Sequence, residues 1–224
     1  MNISEKVLGE ENPDYALTLN NLATYNYYLG NYSEAVRLGT EALNIREKVY
    51  GKEHPDYATS LGNLAGYYGE LGDYTEAIKL ATEALNIREK VYGKEHPDYA
   101  LLLNNIASYL YDLGNYAETI KLSTEALNIY EKVYGKEHPD YAGSLNNLAS
   151  CNASLGNYSE AIKLGTEAIN IYDKFNLKGH PDYALSLNNL ASYNSSFGNY
   201  AEAIRLGTEA LNIYEKVYGK EHPD

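Results

Sequence analysis

The feature that most constrains this chain is a period. The tetrapeptide Pro-Asp-Tyr-Ala begins at Pro13 and returns at Pro55, Pro97, Pro139 and Pro181, each 42 residues after the last, with no insertion between copies. A further copy opens at Pro223-Asp224. Self-similarity at about 20 to 50 residues marks stacked supersecondary units, because one unit cannot bury its apolar face without a neighbour. The chain therefore divides into a partial repeat at 1–12, repeats at 13–54, 55–96, 97–138, 139–180 and 181–222, and the start of another at 223–224, read as one continuous solenoid domain. Asn2-Ile3-Ser4-Glu5-Lys6-Val7 matches Asn44-Ile45-Arg46-Glu47-Lys48-Val49, so the first residues fall within a repeat, and a segment of a longer array is expected.

Each repeat reads as two helices. In repeat 1, Ala16, Leu19, Leu22, Ala23 and Tyr27 recur at steps of three and four along one face of a first helix, helix A. Asn12, or His54, His96, His138 and His180 in later copies, stands at its N-cap, with Pro and Asp in the first turn, where an imposed φ and a negative charge both suit a helix start. Gly30 closes it. Asn31-x-x-Glu34 follows, repeated as Asp73-x-x-Glu76, Asn115-x-x-Glu118, Asn157-x-x-Glu160 and Asn199-x-x-Glu202, a reciprocal cap expected in all five repeats. Helix B then runs from Tyr32 to Tyr50, with Ala35, Leu38, Ala42, Ile45 and Val49 inward, and stops at Gly51. Arg37, Glu41, Arg46, Glu47 and Lys48 are expected on a solvated outer face. The link Asp173-Lys174-Phe175-Asn176-Leu177-Lys178-Gly179-His180 moves the glycine two residues later, which predicts a local change at that helix B end.

These residues resemble the tetratricopeptide repeat, in the 42-residue form of kinesin light chains. Leu19-x-x-Leu22-Ala23, Gly30-x-Tyr32-x-x-Ala35 and Ala42 match the family pattern of large, small and aromatic positions, and the lengthened ending Ala42 to Gly51, followed by His54-Pro55-Asp56, resembles the kinesin-light-chain variant. The resemblance implies an all-α fold: a right-handed superhelical α-solenoid of stacked antiparallel helix pairs. There are two departures. The helix A aromatic is kept only at Tyr68, with Asn26, Leu110, Asn152 and Asn194 in its place, and the bulky residue four after Ala35 is small throughout, at Gly39, Ala81, Ser123, Gly165 and Gly207. Tyr25, Tyr67, Tyr109 and Tyr193, one position earlier, are candidates to compensate.

The resemblance further implies a binding groove built from the A helices, used for an extended peptide or a partner's helix. Here those helices carry Asn20-Asn21, Gly62-Asn63, Asn104-Asn105, Asn146-Asn147 and Asn188-Asn189. A carboxamide donates and accepts, as a peptide group does. Asn21, Asn63, Asn105, Asn147 and Asn189 are therefore candidates to hold a ligand's main chain, with Asn20, Asn104, Asn146, Asn188, Tyr28 and Tyr111 beside them. The competing reading is that the amides bond between neighbouring helices and only stabilise the stack. No Lys or Arg lies on any helix A, while Glu70 and Asp112 do, so a neutral or basic ligand is expected rather than an acidic one. Tyr25, Tyr27, Tyr28, Tyr67, Tyr68, Tyr109 and Tyr111 make repeats 1 to 3 aromatic, whereas Cys151-Asn152-Ala153-Ser154 and Asn194-Ser195-Ser196 predict a deeper pocket in repeats 4 and 5.

Other chemistry is disfavoured. A formal net charge of −13 opposes nucleic-acid backbones and anionic membranes. Five histidines stand one per repeat, too far apart to converge on a metal, and read as caps. The single cysteine, Cys151, reads as a packed thiol and suits a reducing, cytoplasmic compartment. No acid–base pair, nucleophile constellation or phosphate loop is present, so neither enzyme activity nor a cofactor is expected. The alternative to an adaptor is a structural spacer, or a stack self-assembling head to tail through Met1 to Asn12 and the Leu206 to Tyr218 face.

Overall fold

The computed structural model describes residues 12–218. Among them, ten helices follow one another without a strand: α1 (Pro13–Tyr28), α2 (Tyr32–Tyr50), α3 (Pro55–Glu70), α4 (Tyr74–Tyr92), α5 (Pro97–Asp112), α6 (Tyr116–Tyr134), α7 (Pro139–Ser154), α8 (Tyr158–Lys174), α9 (Pro181–Phe197) and α10 (Tyr200–Tyr218). Odd numbers are A helices and even numbers B helices. The partial repeat at 1–12 and the stretch 219–224, with His222, lie outside the described residues but for Asn12.

The helices fall into two compact units, the first ending at Gly114 and the second beginning at Asn115. In the first, α1, α2, α3, α4 and α5 pack in succession, and α3 also touches α1 and α5, so the A helices form a layer of their own. In the second, α6 to α10 pack in the same succession and α7 touches α9. This is the expected stack of antiparallel helix pairs, an α-solenoid.

Local chemistry sets the helix starts. Asn12 Oδ1 accepts from the Asp14 N–H at 2.8 Å, and His54, His96, His138 and His180 do the same through Nδ1 at 3.1, 3.1, 3.3 and 3.3 Å. The histidines are therefore caps. His54, His96 and His138 also stack on Tyr50, Tyr92 and Tyr134 of the preceding B helix. Gly30 turns the chain at a φ of +76°, a left-handed conformation that a Cβ would strain.

The caps of the B helices differ from expectation. Asp73 and Asn115 accept from Glu76 N–H and Glu118 N–H, but Asn31 and Asn157 make no such bond. Their amides donate instead to Asn26 Oδ1 and Asn152 Oδ1, at 3.3 and 3.5 Å, and Asn199 donates likewise to Asn194 at 3.1 Å. Asn26, Asn152 and Asn194 are the residues that replace the family aromatic. Each donates in turn to the carbonyl four residues earlier, so the departure exchanges an apolar contact at the A–B turn for a polar clasp.

The second departure is answered by packing. A Cβ built on Gly39 would lie 3.1 Å from Tyr67 and 3.2 Å from Leu64 of the next A helix, and one on Gly165 would lie 3.3 Å from Leu190 and 3.6 Å from Tyr193. The small residue of one B helix thus receives the displaced aromatic of the following A helix, as expected for Tyr67 and Tyr193. Tyr25 has no such role and is 60% exposed. Cys151 takes the tyrosine position in repeat 4; it is fully buried, and burial pushes its thiol up to about 11.

Arg46 does not lie on the solvated face. It is only 7% exposed, and its Nη1 donates to the Asp56 carbonyl and the Ser60 hydroxyl, both at 2.8 Å. The cause is its phase on α2, which aims it at the first turns of α3 rather than outward. At the end of α8 the irregular link has the predicted effect: the helix stops at Lys174, and Asn176 takes φ +56°.

Candidate functional site

The A-helix layer of the first unit carries a concavity over α3 and its neighbours. On α3, Gly62, Gly66 and Gly69 follow at steps of four and three, so one helix face lacks side chains over about two turns. Nothing lies within 4 Å of a Cβ placed on Gly66, whereas one on Gly69 would come within 2.7 Å of Tyr109 Cε1. Glycine is thus needed at 69 for packing, and at 66 it leaves space.

Two cavities open along this face. The larger, of 410 Å³, is lined by Tyr27, Gly66, Gly69, Glu70, Tyr74, Asn105, Ser108, Tyr109 and Asp112. The smaller, of 220 Å³, is lined by Gly62, Asn63, Asn105, Leu101, Arg88 and Asp98 among others. Asn105 lines both, and joins them. Ligand pockets begin at about 300 Å³, a size that the larger one reaches alone.

The larger cavity is acidic and aromatic. Tyr27 donates its hydroxyl to Glu70 Oε1 at 3.3 Å, and the Tyr74 and Tyr109 rings lie 6.5 Å apart, 27° from parallel. Burial, followed by the charge of Glu70, raises the Asp112 carboxyl above its usual range and pushes the Tyr109 phenol up to about 12. In the smaller cavity, Arg88 pairs with Asp98 at 3.2 Å. Among the described residues, no group of acidic, histidine or cysteine side chains could hold a metal.

Models of the tetratricopeptide repeat match residues 1–48, 30–90, 63–111, 98–174 and 184–224. The chain belongs to the tetratricopeptide-repeat family. Solved structures agree with this. A Podosopora anserina protein of kinesin-light-chain type with nearly identical TPR-like repeats is 27% identical, with a TM-score of 0.68 over 92% of this chain and 98% of that one. BtubC (BKLC) from P. vanneervenii is 22% identical, with a TM-score of 0.69 over 92% and 82%. A Rap protein complexed with competence and sporulation factor is 19% identical, with a TM-score of 0.79 over 90% of this chain and 54% of that one. The last two show the fold alone. Among curated proteins, none matches the sequence.

The tetratricopeptide-repeat fold supports a protein-interaction or scaffold role. In this one the amides do not form a uniform ladder. Asn20 is buried, and its Oδ1 accepts from Asn63 Nδ2 at 3.2 Å, so that rung ties α1 to α3. Asn146 donates to the Ser186 hydroxyl at 2.7 Å and ties α7 to α9. Asn63, Asn104, Asn105, Asn147 and Asn189 are half-buried, while Asn21 and Asn188 are exposed. Tyr28 is 77% exposed and rests edge-on against Tyr27; Tyr111 is half-buried.

In the second unit, a cavity of 410 Å³ is lined by Asn152, Gly156, Asn157, Tyr158, Ser159, Glu160 and Phe197. It lies at the A–B turn of repeat 4, away from Asn146, Asn147 and Asn189. Sequence reading looked for depth there and missed the cleft in repeats 2 and 3. The signal was present: glycine is unfavourable inside a helix, yet α3 carries three on one face.

Proposed function

We propose that the chain is a non-enzymatic, cytoplasmic adaptor that holds an extended peptide or partner segment along its A-helix wall. The observation that carries this reading is Asn105, a half-buried amide shared by two adjoining cavities, with Asn63 lining the smaller of them. An amide so placed can pair with one peptide group of a ligand whose side chains enter the cavities on either side. The Asn63 carboxamide keeps its own oxygen as an acceptor while donating to Asn20. Neutral or basic ligands suit a wall that has no cation on any A helix; nucleic acid and anionic membrane do not. No described helix is long and apolar enough to cross a membrane.

Peptide display against the purified chain tests this. Selected peptides should lose affinity on Asn63→Ala plus Asn105→Ala, and separately on Asn147→Ala plus Asn189→Ala if the second unit also binds. Selection of no motif, or of motifs indifferent to all four alanines, overturns the reading. A second reading, head-to-tail association, is favoured by α10, where Ile204 is 70% and Leu211 56% exposed while the equivalent Ile169 of α8 is only 9% exposed. Its proposed counterpart at Met1 to Asn12 lies outside the described residues except for Asn12. Light scattering over a hundredfold concentration range decides it: a constant monomer mass removes self-association.

A further inference from the structure

We propose that the 410 Å³ cavity between α1, α3 and α5 receives one arginine side chain of the bound peptide. This rests on the groove-binding reading and gives it a ligand chemistry. The cavity offers acceptors in quantity: the Glu70 and Asp112 carboxylates, the Asn105 amide oxygen and the Ser108 hydroxyl. Tyr27 occupies one of the carboxylate's oxygens with its hydroxyl, and no A helix supplies a Lys or Arg to neutralise the pair. A guanidinium has five N–H donors in one plane, pairs with carboxylates in fork geometry, and lies flat on aromatic rings. Tyr27, Tyr74 and Tyr109 supply those rings. Lysine, a compact and strongly hydrated charge, uses the aromatic walls less well.

The repeats supply an internal comparison. At the Gly66 position the other copies carry Thr24, Ser108, Ser150 and Ser192; at the Gly69 position, Tyr27, Tyr111, Ala153 and Ser195. At the Glu70 position, only Asp112 is also acidic, against Tyr28, Ser154 and Ser196. The two carboxylates therefore occur in the glycine repeat and its next neighbour, and in no other copy. Both line the same cavity as the glycines. Packing accounts for Gly69 but not for Gly66, which faces open space, and an incoming side chain does.

The test uses the full chain labelled with ¹⁵N-glycine, with the Gly66 and Gly69 signals assigned by Gly66→Ala and Gly69→Ala. The probes are acetyl-Gly-Ser-Arg-Ser-Gly-amide and the same peptide with citrulline, which keeps arginine's shape without its charge. The arginine peptide is expected to shift both signals saturably. Citrulline in the peptide, or E70Q with D112N in the protein, should each weaken the affinity about tenfold or more, as loss of a charge-assisted bond implies. Both substitutions keep shape and remove like charge, and a melting temperature no lower than that of the unsubstituted protein would confirm that the fold survives. Equal affinity for the two peptides, or shifts confined to other glycines, overturns the proposal. If display-selected peptides still depend on Asn63 and Asn105 in that case, the groove reading stands alone; if they do not, both fall.

Discussion

Gly66→Ala should stabilise this protein, and the size of the gain follows from two observations. Residue 66 lies in the interior of α3, where glycine is less favourable than alanine by about 0.8–1.0 kcal/mol, since the backbone must give up more freedom. The added Cβ meets no atom within 4 Å, so no packing cost offsets the gain. For a chain of this length, 1 kcal/mol corresponds to about 2–4 °C in melting temperature. Urea titration followed by circular dichroism gives the same quantity as a shift in midpoint at constant slope. Gly69→Ala is the contrast. Its Cβ would stand 2.7 Å from Tyr109 Cε1, so the same propensity gain meets overpacking of about 1–3 kcal/mol, and the net result should be neutral to destabilising. If Gly66→Ala lowers the midpoint, or if both alanines behave alike, the account of α3 as a helix opened for space at 66 and for packing at 69 is wrong.

Other perturbations test the remaining structure. Arg46→Ala should cost about 2 kcal/mol by urea titration, since it leaves the buried Ser60 hydroxyl without its donor and empties the space beside it; Arg46→Tyr should cost less, because Tyr130 and Tyr172 fill the equivalent place in later repeats, both buried. Cys151, with its thiol raised to about 11 by burial, should react with iodoacetamide at pH 8 far more slowly in the native protein than in guanidinium; equal rates would refute its packing. Asp112→Asn should stabilise at pH 7 and have little effect below the carboxyl's unfolded range. The folded carboxyl is raised by burial and by Glu70, so the folded chain holds its proton more tightly and loses stability as pH rises through that window. A gain of equal size at pH 3 would show that charge is not the cause.

The elements were legible because the repeat states each one five times. Pro-Asp after an Asn or His, Gly30 and its equivalents, and the three-and-four spacing of Ala and Leu are local signals, and the helices start where those signals put them. Arg46 shows the limit of such reading. Its charge suggested solvent, and only the position of α3 explains why it is buried; the information lies in the next repeat, not in the helix that carries it. The same holds for the caps of α2 and α8. Asn31 and Asn157 have the residue type and spacing for a reciprocal cap, but Asn26 and Asn152, five residues earlier, capture their amides. The tyrosine of each Pro-Asp-Tyr-Ala was visible in every copy, yet its role was not: it is buried throughout, and Tyr15, Tyr57 and Tyr183 each donate to a glutamate of the paired B helix.

The candidate site was legible only in part, for a reason that bears on how such arrays acquire partners. Duplicated copies share a scaffold, so a position's meaning lies in how it differs among copies. The amides at Asn105, Asn147 and Asn189 recur at that position in all five repeats, and a common feature can serve the stack as readily as a ligand; Asn20 with Asn63 and Asn146 with Ser186 do serve it. Glycine in open space is not sufficient either, since Gly143 on α7 also meets nothing within 4 Å. What sets α3 apart is coincidence. Gly66 relinquishes helix stability beside the two helix A C-terminal ends that are acidic, in a cavity walled by three tyrosines. Stability forgone together with charge left unneutralised is hard to attribute to the fold itself, because both work against it. A bound guanidinium would fill the space that Gly66 leaves and neutralise the charge, which is why the repeat-specific residues, rather than the repeated ones, carry the case for a ligand.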